Sequence, residues 1–146
     1  MIPFKKIALI GAGNVACNIV RTLKNNGIEP FCIYTRSENK IKEIQEKRGV
    51  KAVCNYNEMQ DCDLIIIAVK DDAIKEISLN LNNFKALVVH TSGTQSSSLL
   101  NHLENYGIMY PLQTFSKEVD VNFKEIPFLS NASSQNNLEN LKRFVK

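Results

Sequence analysis

The sequence predicts an α/β fold: a doubly wound, mostly parallel sheet with helices on both faces. Three observations lead there. An apolar, β-branched run ends at Gly11-Ala12-Gly13, and an amphipathic helix follows at once. Strand-like and helix-like periods then alternate along the chain with short connections. Finally, Leu64 to Val69 is an unbroken apolar run, as expected of a strand covered on both faces. With 146 residues, 44% of them hydrophobic, the chain suits one domain, 1–146, with one core.

The elements follow in order. Lys6 to Ile10 is the first strand, and Val15, Ala16, Ile19, Val20 and Leu23 mark one face of a helix ending near Gly27. Phe31 to Thr35 is the second strand. Ser37 can cap the next helix, with Glu38 in its first turn, Lys47 and Arg48 in its last and Gly49 beyond, charges that suit the helix dipole. Lys51 to Cys54 makes a short third strand and Asp63 to Val69 the fourth. Asp71 and Asp72 start a helix carrying Ile74, Ile77 and Leu81. Ala86 to His90 is the fifth strand, and Leu99, Leu100 and Leu103 stripe a further helix. Gly107 to Tyr110 and Ile126 to Ser130 read as the sixth and seventh strands. Leu138, Leu141, Phe144 and Val145 belong to a last helix.

In such sheets ligands bind beyond the carboxyl ends of the strands, where strand order reverses. The first of these turns has the residues a dinucleotide needs. Gly11 permits the tight strand-to-helix turn, and Gly13 lets backbone approach a pyrophosphate. Ala16 keeps helix and strand close, while the helix N-terminus, opened by Asn14 and Val15, presents N–H groups to the anion. An NAD site would place an acid at the end of the second strand. Here the chain reads Thr35-Arg36-Ser37, and Arg36, with Ser37 and Lys40 as further donors, suits a 2′-phosphate. The expected cofactor is therefore NADP(H).

Composition narrows the alternatives. The net charge of +3 is small and Lys is spread along the chain, so no basic stripe points to nucleic acid. No apolar run approaches the roughly 20 residues of a membrane span. The N-terminus leads straight into the first strand, so no signal peptide is expected. Cys17, Cys32, Cys54 and Cys62 lack C-x-x-C spacing, which favours reduced thiols in a cytoplasmic protein over disulfides or a metal site. The nucleophile elbow G-x-S-x-G and the phosphate loop G-x-x-x-x-G-K-[ST] are both missing, which argues against a serine hydrolase and a P-loop nucleotidase.

Gly11-Ala12-Gly13-Asn14-Val15-Ala16, Thr35-Arg36-Ser37-Glu38-Asn39-Lys40 and Ala68-Val69-Lys70 resemble the matching segments of pyrroline-5-carboxylate reductases and of deazaflavin-dependent NADP oxidoreductases. His90-Thr91-Ser92-Gly93-Thr94, followed by Tyr110-Pro111-Leu112-Gln113-Thr114-Phe115-Ser116, is similar to a family of Rossmann-like NADP oxidoreductases with a C-terminal helical domain of unknown function. One departure is Tyr110, which stands where that family typically shows His. The resemblance implies that Gly11, Ala12, Gly13, Asn14 and Val15 hold the pyrophosphate, that Arg36 and Ser37 meet the 2′-phosphate, and that Ala68, Val69 and Lys70 flank the ribose and nicotinamide. It also implies a helical domain, absent from this chain, that closes the substrate pocket and forms a homodimer.

Chemistry is expected beside the nicotinamide. His90, at a strand end, can act as acid, base or substrate anchor, or else simply bond to backbone. Ser92 and Gly93 can bind a substrate carboxylate or just make the turn; related dehydrogenases of the 6-phosphogluconate and β-hydroxyacid type touch substrate with a Ser-Gly segment here. Ser92 is thus a catalytic as well as a substrate-binding candidate, and Tyr110 and Gln113 are further substrate-side candidates. Asp71 and Asp72 most simply stabilise a helix N-terminus. The expected function is hydride transfer with a small polar imine, keto or hydroxy substrate. A non-catalytic, dinucleotide-sensing module is the alternative, and the isolated domain is expected to turn nothing over.

Overall fold

The computed structural model describes residues 3–11, 13–111 and 128–144. Its strands are β1 (Ile7–Ile10), β2 (Cys32–Tyr34), β3 (Ala52–Val53), β4 (Leu64–Ile67), β5 (Leu87–His90), β6 (Tyr106–Pro111) and β7 (Phe128–Ala132). The α-helices are α1 (Asn14–Asn25), α2 (Ile41–Arg48), α3 (Asp71–Ser78) and α4 (Gln135–Phe144). One sheet runs in the order β3-β2-β1-β4-β5-β6-β7, parallel except for the antiparallel pairing of β7 with β6.

Both faces of this sheet are covered. Leu64, Ile65, Ile66 and Ile67 are all fully buried, because successive side chains of a strand point to opposite faces. Leu64 and Ile66 pack with Ala16, Ile19, Val20 and Leu23 of α1 and with Leu141 of α4. Ile65 and Ile67 pack with Ile74 and Ile77 of α3. Phe4 closes the first cluster edge-on against Phe144, ring centroids 5.6 Å apart.

The differences from the sequence reading are local. The helix predicted over Leu99 to Leu103 is a 3-10 turn, Ser97–Leu100, although Leu100 and Leu103 are buried as their spacing requires. Serines compete for backbone hydrogen bonds here: Ser96 Oγ accepts the Ser98 N–H at 3.1 Å. Likewise Ser37 does not cap an α-helix with its side chain. Its carbonyl accepts the Lys40 N–H, a 3-10 turn spans Glu38–Lys40, and α2 begins only at Ile41. The third strand contracts to Ala52–Val53, and the helix opened by Asp71 ends at Ser78, followed by a 3-10 turn over Leu79–Leu81. The seventh strand lies at Phe128–Ala132, two residues beyond its predicted start and end; Ile126 and Val145 lie outside the described residues.

Candidate functional site

β1 leads to β2 on one side of the sheet, while β4 lies on its other side, so the strand order reverses at the carboxyl end of β1. A cleft of about 600 Å³ opens at that point. Of the expected cofactor residues it gathers Gly11, Thr35, Arg36, Lys40, Val69 and Lys70 on its lining.

Gly11 has φ +126°, a value that side-chain-bearing residues avoid. A Cβ there would collide with the Ala68 carbonyl oxygen and lie 2.9 Å from its carbon. The same stretch is tied down by the Ala68 N–H, which donates to the Ile10 carbonyl at 2.8 Å. Ala68 is thus buried backing for the turn, and it does not line the cleft. Gly13 is different: among the described residues, leaving aside its chain neighbours, no heavy atom lies within 4 Å of where its Cβ would be. It precedes α1 with no capping side chain, and first-turn amides of a helix have no acceptor within it. Open space beside unshielded amides fits the approach of an anionic pyrophosphate. Asn14 and Val15 form this helix entrance and lie off the cleft lining. Ala12 lies outside the described residues.

The Thr35 N–H donates to the Val53 carbonyl at 2.9 Å, which fixes the end of β2, while Arg36 and Lys40 project from exposed positions into the cleft. Ser37 is half-buried, off the lining, with its N–H donated to Thr35 Oγ1 at 3.3 Å. Residues that sequence reasoning missed complete the walls. Glu43, Ile44, Lys47 and Arg48 come from α2, and Asp72, Ala73, Glu76 and Ile77 from α3. Their signal was in the sequence, since they continue from Lys40 and from Val69 at the i, i+3, i+4 spacing of one helix face. Among the described lining residues five cationic side chains face three acidic ones, and Glu43 is held by Lys47 at 2.9 Å, which keeps its carboxyl below the usual range. The cleft therefore favours an anion. Ile10, Val69, Ala73 and Ile77 add an apolar wall with Tyr34, whose ring stacks on Tyr56 at 4.1 Å.

At the carboxyl ends of β5 and β6, His90, Ser92, Gly93 and Tyr110 come together. His90 is fully buried. Its Nδ1 accepts the Ser92 N–H at 3.1 Å, which leaves the ring proton on Nε2, donated to the Ser96 carbonyl at 3.2 Å. Burial also pushes the imidazole pKa below its ordinary value. In this arrangement the ring pins the turn, and proton transfer to a substrate requires one of its bonds to open. Ser92 Oγ accepts the N–H groups of Thr94 and Gln95, each at 3.2 Å. The Tyr110 ring lies flush on Gly93, so that a Cβ there would strike the ring. Gln113, like Thr114, lies outside the described residues.

The profile of the family described as NADP oxidoreductase coenzyme F420-dependent matches residues 6–107. Among solved structures, the chain is similar to a Bacteroides fragilis protein assigned as an NADP oxidoreductase. The two are 33% identical with a TM-score of 0.83, over 99% of this chain and 58% of that one. A pyrroline-5-carboxylate reductase from Coxiella burnetii shares the fold at 24% identity and a TM-score of 0.73, over 95% and 54% of the two chains. The glutamyl-tRNA reductase of Sulfolobus acidocaldarius is 29% identical over 76 residues, 51% of this chain and 18% of that protein. The chain thus spans little more than half the length of its solved relatives and a small part of that reductase. No helix among the described residues is long and apolar enough to cross a membrane.

Proposed function

This chain belongs to the NADP oxidoreductase coenzyme F420-dependent family, and we propose that it is the NADP(H)-binding domain of an oxidoreductase acting on a small polar imine, keto or hydroxy substrate. The observation that carries the cofactor choice is the pair Arg36 and Lys40 at the end of β2, with no acid among Thr35-Arg36-Ser37, in a cleft whose cations outnumber its acids. NADPH supplies hydride when bound. The chain's own part is to hold and orient. The α1 N-terminus, reached past Gly13, receives the pyrophosphate. Arg36 grips the 2′-phosphate in a planar fork, with Lys40 as a point charge and Ser37 as a neighbouring hydroxyl. The apolar wall shields the adenine side, and Val69 and Lys70 flank the ribose. Ser92, Gly93 and Tyr110 stand on the substrate side, for which Gln113 is a further binding candidate. His90 shapes that turn and exchanges a proton once it releases Ser96.

Hydride transfer needs a water-excluding pocket. We assign its closure, and a homodimer, to a helical domain that the relatives' greater length accommodates, and we place the protein in the cytoplasm. The test is a calorimetric titration of NADPH and NADH into the wild type and Arg36→Ala. A charge-assisted hydrogen bond is worth about 1.5–3 kcal/mol, so NADPH is expected to weaken roughly 10- to 150-fold. NADH, without the phosphate, is expected to be nearly indifferent. Equal affinity of the wild type for both nucleotides would overturn the assignment.

A further inference from the structure

Asp71 opens α3 directly after Lys70, a residue of the cleft lining. A carboxylate at that position ordinarily serves its own helix. Here it reaches across to another turn, 23 residues along the chain: Thr94 Oγ1 donates to Asp71 Oδ2 at 2.5 Å. The Thr94 hydroxyl has a single proton, and that bond uses it. In the 3.3 Å contact between Ser92 Oγ and Thr94 Oγ1, Ser92 must therefore be the donor. With its two lone pairs taken by the Thr94 and Gln95 N–H groups, the Ser92 hydroxyl is saturated. Every proton in the chain Ser92 to Thr94 to Asp71 has one direction, and it ends on the carboxylate. The carboxyl is accordingly held below the usual range by Thr94 first, then Ser92.

We propose that Asp71 is a positioning residue that straps the substrate-side turn, Ser92 to Gln95, to the cofactor-side turn at Lys70. The functional half of this statement rests on the reading above: nucleotide bound along Val69 and Lys70 sets the turn beside it through Asp71 and Thr94. His90 pins the same turn from inside the fold and Tyr110 covers Gly93. Asp71 is the one of these three that sits next to the nucleotide cleft, so it couples the two sites.

The experiment is amide hydrogen exchange by NMR at positions 94 and 95, with and without NADPH, in the wild type, Thr94→Val, Thr94→Ser, Asp71→Ala and Asp71→Asn. Thr94→Val keeps the shape and removes the donor; Thr94→Ser keeps the donor. Without nucleotide, exchange is expected to quicken about fivefold or more in Thr94→Val and Asp71→Ala. Thr94→Ser and Asp71→Asn, which can still form the bond, are expected to stay near the wild type. NADPH is expected to slow these amides in the wild type and to lose that effect in Thr94→Val, with its Kd moving less than about threefold, under 1 kcal/mol. Unchanged exchange in a folded Thr94→Val, or slowing by NADPH that persists in it, would overturn the proposal. If the wild type binds no NADPH, the cofactor reading fails by itself, and the nucleotide-free comparison still decides the strap.

Discussion

Gly11→Ala is expected to destabilise the fold by about 3–5 kcal/mol, while Gly13→Ala, two residues on, costs about 1 kcal/mol or less. The contrast comes from what surrounds each backbone. At Gly11 a methyl group meets the Ala68 carbonyl, and φ +126° adds conformational strain. That carbonyl cannot yield, because the Ala68 N–H is donated to the Ile10 carbonyl and Ala68 directly follows β4, which is buried on both faces. At Gly13, φ −79° and ψ −166° suit any residue, and the new methyl enters open space. That same space is where the pyrophosphate is proposed to approach. Gly13→Ala is therefore expected to melt like the wild type and yet bind NADPH at least about tenfold more weakly. Urea denaturation and calorimetry on the two variants read both effects. Similar stability for the pair would show that the Gly11–Ala68 contact does not constrain the turn.

Replacing His90 is the second large effect. His90→Ala empties a fully buried site and leaves the Ser92 N–H and the Ser96 carbonyl without partners, for a loss of about 3–5 kcal/mol. The ring also makes stability depend on pH, with a definite sign. Burial depresses the folded pKa below the ordinary value of 6.5, so the unfolded chain takes up the proton first. The stability held above pH 6.5 is thus lost as pH falls from 6.5 toward the folded value, with a slope of at most about 1.4 kcal/mol per unit. Urea midpoints between pH 7.5 and 5 are expected to fall for the wild type and to lose this component in His90→Asn. A stability that rises as the solution is acidified through that window would mean that the imidazole is charged in the fold.

Much of this architecture was legible along the chain, and the reasons are local. Period-2 and period-3.6 patterns are properties of neighbouring residues, so each strand was found, as were all the α-helices of the described residues. The uninterrupted apolar run at Leu64 to Val69 announced a strand buried on both faces, and β4 is that strand. Where short-range signals compete, the reading failed. At Leu99 to Leu103 the leucines had helical spacing, but the Ser96 hydroxyl takes both the N–H and the hydroxyl proton of Ser98, and a 3-10 turn resulted. Ser37 offered a capping hydroxyl, yet the chain takes a 3-10 turn before α2 begins.

For the site, the sequence by itself determined where ligand chemistry gathers. Gly11 and Gly13 after an apolar strand, and Arg36 in place of an acid at the end of the next, are statements about one turn each, and local residues suffice to make them. Only the tertiary structure decided what those turns meet. Sequence spacing does not contain the burial of Ala68 under Gly11, the Tyr110 ring on Gly93, or the reach of Asp71 to Thr94. Each pairs residues from turns that the strand order β1-β4-β5-β6 sets side by side. The same holds for His90, whose place at a strand end suggested an exchangeable proton. Whether a buried imidazole has a proton to spare depends on the backbone groups folded around it, and here both of its nitrogens are already engaged.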